Sequence, residues 1–568
     1  MNKDEYIERL NPKPSFNLKW YKGEDLYSDG QIEDVVIDII ANNAPECYED
    51  AIEKAMCWPV YYHLTNIRQN ILNWYPFDKS KNALEIGCGM GAITNALCER
   101  LNHVTAVELS KNRALGTLIR CRERSNLEII VGNLNDIEFE EKFDYITLIG
   151  VLEYQGSYTD SGNPYVDFLK KIKGLLKPDG KLLIAIENQF GLKYWCGATE
   201  DHTGIPFDGM NMYKLSNQSG VRTFSKQALT QLINESGFSN TYFYYPLPDY
   251  KLPTIIYSQN YLPKKKLLDN MECYYFPTNK YMIANERDLY SEIIQNGAFE
   301  FFANSFLVEC AETEDIGKSL FAVSNSLRCD EYQVGTRINS NGTVDKYPLC
   351  GEIGCDHLGE VLANEEFLIN RGLNVLRSRN MEEYLQTDFV DLPTMEDLIG
   401  QAFLKRDKEE ILRLIDMAVN DIMASSPEVP AEDNMCFSLG LSQPGDGIDY
   451  GPILQYGFMD MIHRNCFVDG NNLMWFDQEW RLENIPAKLL IYKFIVYLDV
   501  PKGNIGDVVS YTELASKYGI DKKICDLGSD LEAIFSKSII DQKRVAERCS
   551  LANSDMQAIA DAIGRLVK

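Results

Sequence analysis

The chain has 568 residues, 45% of them hydrophobic and 11% aromatic, enough apolar material for about two to four packed domains and too much for a disordered polymer. Its formal net charge of -28 argues against sequence-independent nucleic-acid binding and attraction to anionic membranes, both of which need a basic face, and leaves room only for a local basic groove. The polar start Met1-Asn2-Lys3-Asp4-Glu5 and the lack of any apolar run of membrane-spanning length predict a cytoplasmic protein without a signal peptide.

Fifteen cysteines without a repeated spacing fit reduced thiols in such a compartment. Cys350, Cys355 and His357 lack a fourth ligand and the Cys-x-x-Cys spacing of a zinc site.

Residues 1–80 read as a helical cap, with amphipathic helices over 31–40 and 65–72. The second helix lies close in sequence to the glycine turn that follows. Tyr61, Tyr62, His63 and Arg68 would then either cover a ligand there or simply pack the helix on a sheet.

From residue 82 strands and helices alternate: strands at 82–86, 103–108, 127–131, 143–149 and 180–187, helices at 90–101, 110–123, 164–177 and 225–236. That order predicts a parallel sheet covered on both faces, with ligands outside the carboxyl ends of its strands. Strands at 241–245 and 254–257 are expected as an antiparallel pair at the sheet edge, and Lys264-Lys265-Lys266 marks a domain junction.

Gly87, Gly89 and Gly91 lie between the first strand and a helix start, where a backbone free to take positive φ can approach a ligand. The spacing is Gly-x-Gly-x-Gly after Glu85, not the Gly-x-Gly-x-x-Gly of dinucleotide folds. Glu85-x-Gly87-x-Gly89-x-Gly91 resembles motif I of the class I S-adenosylmethionine-dependent methyltransferases, over residues 60–260. Residues 143–148 and 175–184 resemble that family's later core motifs.

The resemblance implies a Rossmann-like domain over 81–265 in which Glu85 and the three glycines hold S-adenosylmethionine. Glu108, 23 residues after Glu85, would accept from the ribose hydroxyls, and Asn133 from the adenine amino group. After residue 148 the chain reads Ile149-Gly150-Val151-Leu152-Glu153-Tyr154, without the Pro-Pro corner of DNA amino-methyltransferases. An acceptor oxygen on a small molecule or glycan is therefore expected. Glu153, Tyr154 and the loop 196–204 lie at the acceptor entrance. His202 is the candidate general base, or else a surface histidine without a role; an ionised acceptor such as a phosphate would need no base.

Past the junction, strands are expected at 301–309, 319–325, 332–338 and 343–349, an antiparallel sheet with Asn341-Gly342 as a hairpin turn. A helix over 357–368 follows, and from 396 the chain reads as mainly helical. Asp460, Asn465 and Asp477, with a hairpin between the last two, keep the order of a phosphotransferase catalytic loop and its metal-binding aspartate.

Residues 300–500 thus resemble the kinase-like fold. That resemblance implies that Asp460 orients the acceptor hydroxyl, Asn465 and Asp477 hold magnesium, and residues 389–392 line the adenine of ATP. Lys346 would contact phosphate and pair with Glu365 or Glu366. Phe458-Met459 replaces the histidine expected before the catalytic aspartate.

The fold class predicted is α/β, a Rossmann-like class I methyltransferase domain followed by an α+β kinase-like domain. Its divisions are 1–80 (cap), 81–265 (methyltransferase), 266–500 (kinase-like) and 501–568 (helical tail). The arrangement resembles bifunctional kinase–methyltransferases that terminate bacterial O-antigen chains, and so implies a glycan or sugar-phosphate acceptor, with other glycan-biosynthesis enzymes or a second copy as partners. Two alternatives stay open: a methyltransferase with an inactive kinase-like binding module, and a small-molecule O-methyltransferase with a dimerisation domain.

Overall fold

In the computed structural model the strands of the first half are β1 (Ser15–Trp20), β2 (Asn82–Ile86), β3 (His103–Glu108), β4 (Leu127–Gly132), β5 (Phe143–Ile149) and β6 (Leu176–Glu187), followed by β7 (Asn240–Leu247), β8 (Ile255–Ser258), β9 (Ser305–Ala311) and β10 (Ser319–Ser324). The structure describes residues 3–28, 30–44, 48–55, 57–217, 220–264, 282–498 and 505–545. By its internal contacts the chain divides into two units. One comprises Met1–Ser326, Thr336–Asn341 and Gln542–Lys568, the other Leu327–Gly335 and Gly342–Asp541.

The first unit is built on a sheet in the order β1-β4-β3-β2-β5-β6-β9-β7-β8-β10. Neighbours from β1 to β6 are parallel, and those from β6 onward antiparallel. The parallel strands are continuous apolar runs because helices cover both faces; Ala83, Leu84, Ile146, Leu148, Leu182 and Ile184 are all buried.

Three of the covering helices start on local signals. Ser110 Oγ accepts from Arg113 N at 3.3 Å to cap Lys111–Arg120, and Ser225 Oγ accepts from Ala228 N at 3.2 Å to cap Lys226–Glu235. Pro164 opens Pro164–Leu175. The helix after the glycine turn runs over Thr94–Arg100, starting four residues later than the periodicity predicts because the turn itself continues through Gly91.

Two strands correct the sequence reading. Residues 301–309 were expected in an antiparallel sheet of the second half, yet Ser305–Ala311 inserts between β6 and β7, pairing Ile184 with Val308 and Phe243 with Val308. Its run Phe306-Leu307-Val308 is buried on both faces, as a central strand requires, and sequence distance hid its partners. β7 and β8 do pair antiparallel, but β7 is not at the edge. Ser15–Trp20, read as part of the helical cap, pairs parallel with β4; half exposed and only six residues long, it carries little periodic signal.

Around the cap, residues 65–72, expected as a helix, form a 3-10 turn over Asn66–Ile71. Asn70 fixes that turn by donating to Pro253 O at 3.0 Å and to Ser326 Oγ at 2.7 Å.

In the second unit Thr343–Pro348 pairs antiparallel with Leu385–Asp388, which also pairs with Arg379–Asn380. Gly342 has φ +82°, the conformation that an Asn341-Gly342 turn needs. The helix Cys355–Asn370 follows, then Met395–Lys405, started by a Thr394/Asp397 capping box, and Lys408–Ala424.

Beyond 396 helices make up most of the regular structure, as expected, but two small sheets stand among them. Ile453–Phe458 pairs with Glu428–Val429 and Arg481–Pro486, and Cys466–Asp469 pairs with Asn472–Trp475 as a hairpin. Ile453-Leu454-Gln455-Tyr456-Gly457-Phe458 breaks period-2 alternation and Arg481–Pro486 ends in proline, so neither announces itself as a strand. The apolar core of this unit joins these strands to Lys408–Ala424, Ala487–Val496 and Lys522–Ile539.

Within the expected tail, Tyr511–Lys517 and Lys522–Ile539 are helices, while the apolar stretch 559–567 and the junction residues 265–266 lie outside the described residues. Among the described residues no helix is long and apolar enough to cross a membrane.

Candidate functional site

At the carboxyl ends of β2 to β6 the first unit encloses a cavity of about 440 Å³. Each strand from β2 to β6 places a polar group or a close backbone, at its carboxyl end or just beyond, on the wall.

After β2, Gly87, Gly89 and Gly91 have φ of +75°, +57° and +76°, a left-handed path that other residues take only with strain. A side chain at Gly87 would meet Val151 Cγ2 at 2.5 Å, and one at Gly91 would meet the Thr117 backbone at 3.1 Å. The turn is therefore both bent and closely packed, and its wall is bare backbone.

Glu108, the last residue of β3, is buried and braces this turn. Oε2 accepts from Gly89 N at 2.8 Å and Oε1 from Ser110 N at 3.0 Å. Each oxygen has a further lone pair for a ligand. Asn133, after β4, spends its amide oxygen on Asn135 N at 2.9 Å, closing the 3-10 turn Leu134–Asp136 at the cavity edge.

Glu85 is buried in the wall, and Oε2 has no hydrogen-bond partner. Burial raises its carboxyl from 4.5 to about 7, with Glu108 adding to the rise and Arg68 opposing it. Arg68 lies on the same cavity, 3.8 Å over the Tyr62 ring; burial lowers its guanidinium to about 10. Of the residues considered as a cover from sequence, Tyr62, His63 and Arg68 line the cavity, whereas Tyr61 is buried in the core and does not.

Beyond β5 and β6 lies a second cluster. Glu153 and Glu187 are buried, and His202 reaches in from the loop after β6. His202 Nδ1 is 3.0 Å from Tyr154 Oη, and Nε2 is 3.7 Å from Glu187 Oε2. Glu187 Oε1 takes the Tyr250 hydroxyl at 3.1 Å and the Lys251 ammonium. Lys251 also pairs with Asp201 at 2.8 Å, and Lys193 with Asp201 at 2.9 Å.

Burial alone would lower the His202 ring, but Glu187, Glu200 and Glu153 raise it to about 9. Burial and Glu187 push Glu153 up to about 8, whereas Lys251 and His202 overcome burial and hold Glu187 well below the usual carboxylate range.

Sequence reasoning singled out Glu153, Tyr154 and His202 but missed Glu187, Tyr250 and Lys251. Glu187 had a signal: an acid closing the apolar run Leu182–Ile186 at a strand's carboxyl end. Lys251 had none, since only the turn between β7 and β8 brings it back.

In the second unit Lys346 pairs with Asp477 and Glu479, and Arg328 reaches Glu479 at 2.6 Å. Asp477 has φ +58°. Glu365, expected to pair with Lys346, instead accepts from Ser378 N at 2.8 Å and Ser378 Oγ at 2.7 Å. Glu479, which sequence reasoning did not select, takes the place expected of Glu365 because it stands two residues after Asp477.

Asp460 Oδ2 accepts from Glu479 N at 2.9 Å and Trp480 N at 3.2 Å, and Asn465 Nδ2 donates to Asp460 O at 3.2 Å. Burial, then Glu479 and Asp477, raise the Asp460 carboxyl to about 7. Phe389 is exposed. Cys350 Sγ faces Asp330 and Gln333, and Cys355 Sγ faces Gly351 O.

Residues 84–184 match a family model described as a methyltransferase domain. Among curated proteins the chain is 26% identical over 124 residues to nodulation protein S of Rhizobium tropici, covering 22% of this chain and 50% of that protein. It is 33% identical over 111 residues to ribosomal RNA small subunit methyltransferase A of Mesomycoplasma hyopneumoniae, covering 20% and 39%.

Among solved structures, phosphoethanolamine N-methyltransferase 2 of Haemonchus contortus, in complex with S-adenosyl-L-methionine, is similar with 17% identity, a TM-score of 0.27, and coverage of 44% of this chain and 53% of that one. The chain spans half or less of the length of these curated relatives. Residues 84–184, which span β2 to β6, thus carry a methyltransferase domain.

Proposed function

We propose that the protein transfers a methyl group from S-adenosylmethionine to a hydroxyl oxygen, and that the acceptor is a bacterial surface-glycan precursor. The observation that carries the donor half is the Glu108–Gly89 brace beneath a turn of three left-handed glycines, of which Gly87 and Gly89 line the cavity. A bare backbone turn beside a carboxylate with spare lone pairs fits a cofactor with ribose hydroxyls and a chain that must approach closely. Arg68 is the buried cation suited to the carboxylate of its methionine part, and Asn133 stands at the adenine end.

When bound, S-adenosylmethionine supplies an electrophilic methyl on a sulfonium. The remaining work falls to this chain's residues: excluding water and aligning the acceptor oxygen. Glu153, Glu187 and His202 face the acceptor space. Glu153 and Glu187 stand there beside the His202 ring and the Lys251 ammonium, groups that can orient a hydroxyl acceptor.

For the second unit we propose a kinase-like nucleotide site, in which Lys346 meets phosphate, Asn465 and Asp477 hold magnesium, and Asp460 orients the hydroxyl. Its support is Lys346 between two carboxylates, with Asp460 bonded to the backbone of the Asp477-Gln478-Glu479-Trp480 turn. The glycan assignment rests on the likeness of the two-domain order to O-antigen chain-terminating enzymes. The test is an acceptor screen with labelled methyl donor on nucleotide sugars and lipid-linked glycans. Label in a sugar hydroxyl supports the reading; label only in amines or phosphates overturns it.

A further inference from the structure

Glu153 Oε2, Glu187 Oε2 and His202 Nε2 are buried without a hydrogen-bond partner, and the ligand-capable atoms of these three residues lie within 4.8 Å of one another. A buried acceptor left without a donor costs about 1–3 kcal/mol, and more when charged. His202 Nε2 and Glu187 Oε2 face each other at 3.7 Å, beyond hydrogen-bond reach, with Glu153 Oε2 beside them, so an ion that displaces the ring proton would engage all three atoms.

The supports are already set. Tyr154 Oη engages His202 Nδ1, which fixes the ring and turns Nε2 toward the carboxylates. Lys251 and Tyr250 both bind Glu187 through Oε1, so that Oε2 stays directed into the cluster.

We infer that Glu153, Glu187 and His202 form a binding site for a divalent first-row cation such as Mn2+. Two carboxylates and one imidazole suit such an ion better than the all-oxygen sets of magnesium or calcium. Bonds of about 2.0–2.2 Å require the donor atoms to close by roughly an ångström, within reach of side-chain rotation. The role of the ion rests on the methyl-transfer reading: at the acceptor end it would lower the pKa of a bound hydroxyl. Its binding does not rest on that reading.

The test uses the full-length chain, stripped with a chelator and titrated with MnCl2 by electron paramagnetic resonance, with S-adenosylmethionine binding measured in parallel by calorimetry. One Mn2+ per chain is expected, with a nitrogen coupling in the pulsed spectrum. Glu153→Gln and His202→Gln should each weaken it at least tenfold, and His202→Gln should remove the coupling.

Weak binding without nitrogen coupling, or binding that both variants leave unchanged, overturns the inference. If either variant loses its native circular dichroism, Tyr154→Phe decides: a loss of about tenfold supports the site and an unchanged affinity overturns it. Donor binding without a Mn2+ site defeats only this inference, and a Mn2+ site without donor binding defeats only the methyl-transfer reading.

Discussion

Glu108 Oε2 accepts the backbone N–H of Gly89 at 2.8 Å, so the carboxylate at the end of β3 sets the shape of the turn after β2. A charge-assisted bond of this kind contributes about 1.5–3 kcal/mol. Glu108→Ala is expected to weaken S-adenosylmethionine binding by about 10- to 100-fold in calorimetry, through both the lost ribose contact and the released turn. Glu108→Gln, which keeps one acceptor oxygen, should lose less.

Gly87 tolerates no side chain. Gly87→Ala puts a Cβ 2.5 Å from Val151 Cγ2 at φ +75°. We expect a loss of about 1–3 kcal/mol in urea denaturation, together with weaker donor binding. A variant as stable and as tight as the parent would contradict the close packing of the turn.

Arg68 is assigned to a carboxylate, so its effect should depend on the ligand. Arg68→Met is expected to weaken S-adenosylhomocysteine at least tenfold and to leave 5′-methylthioadenosine, which lacks the amino-acid carboxylate, nearly unchanged. Equal losses for both ligands would place Arg68 elsewhere in the cavity or in a purely structural role.

Glu85 makes a signed prediction for stability against pH. Its folded-state carboxyl lies at about 7, above its ordinary 4.5, because burial disfavours the charge. The folded state then holds a proton that the unfolded state has released. The contribution is fully present below about pH 4.5 and is lost as pH rises through 7, by at most about 3 kcal/mol. Glu85→Gln should therefore gain stability relative to the parent between pH 5 and pH 8, measured by urea denaturation at both. A gap that narrows with rising pH would contradict the assignment.

In the second unit, ATP with magnesium is expected to raise the melting temperature, and Asp477→Ala should abolish the shift. Lys346→Met should also abolish it, since Lys346 is held between Asp477 and Glu479. No shift in the parent chain would favour a binding module without nucleotide.

The parallel core and the glycine turn were legible because both are local. Apolar runs of strand length alternate with capped helices, and Gly87, Gly89 and Gly91 stand beside Glu85. β9 was legible as a strand but its place was not, because Val308 finds Ile184 and Phe243 across more than sixty residues of chain. The Lys346 partner was misread for the same reason: Glu365 and Glu479 are equally acidic in sequence, and only the turn after Asp477 brings Glu479 near. Glu153 and His202 were visible as residue types, whereas their meeting with Glu187, Tyr250 and Lys251 belongs to the tertiary fold.

The account stands most directly on donor binding at the β2 turn. Titrating S-adenosylmethionine into the full-length chain by isothermal calorimetry should give one site per chain, which Glu108→Ala weakens by at least tenfold. No detectable binding, or binding that Glu108→Ala leaves unchanged, would contradict it.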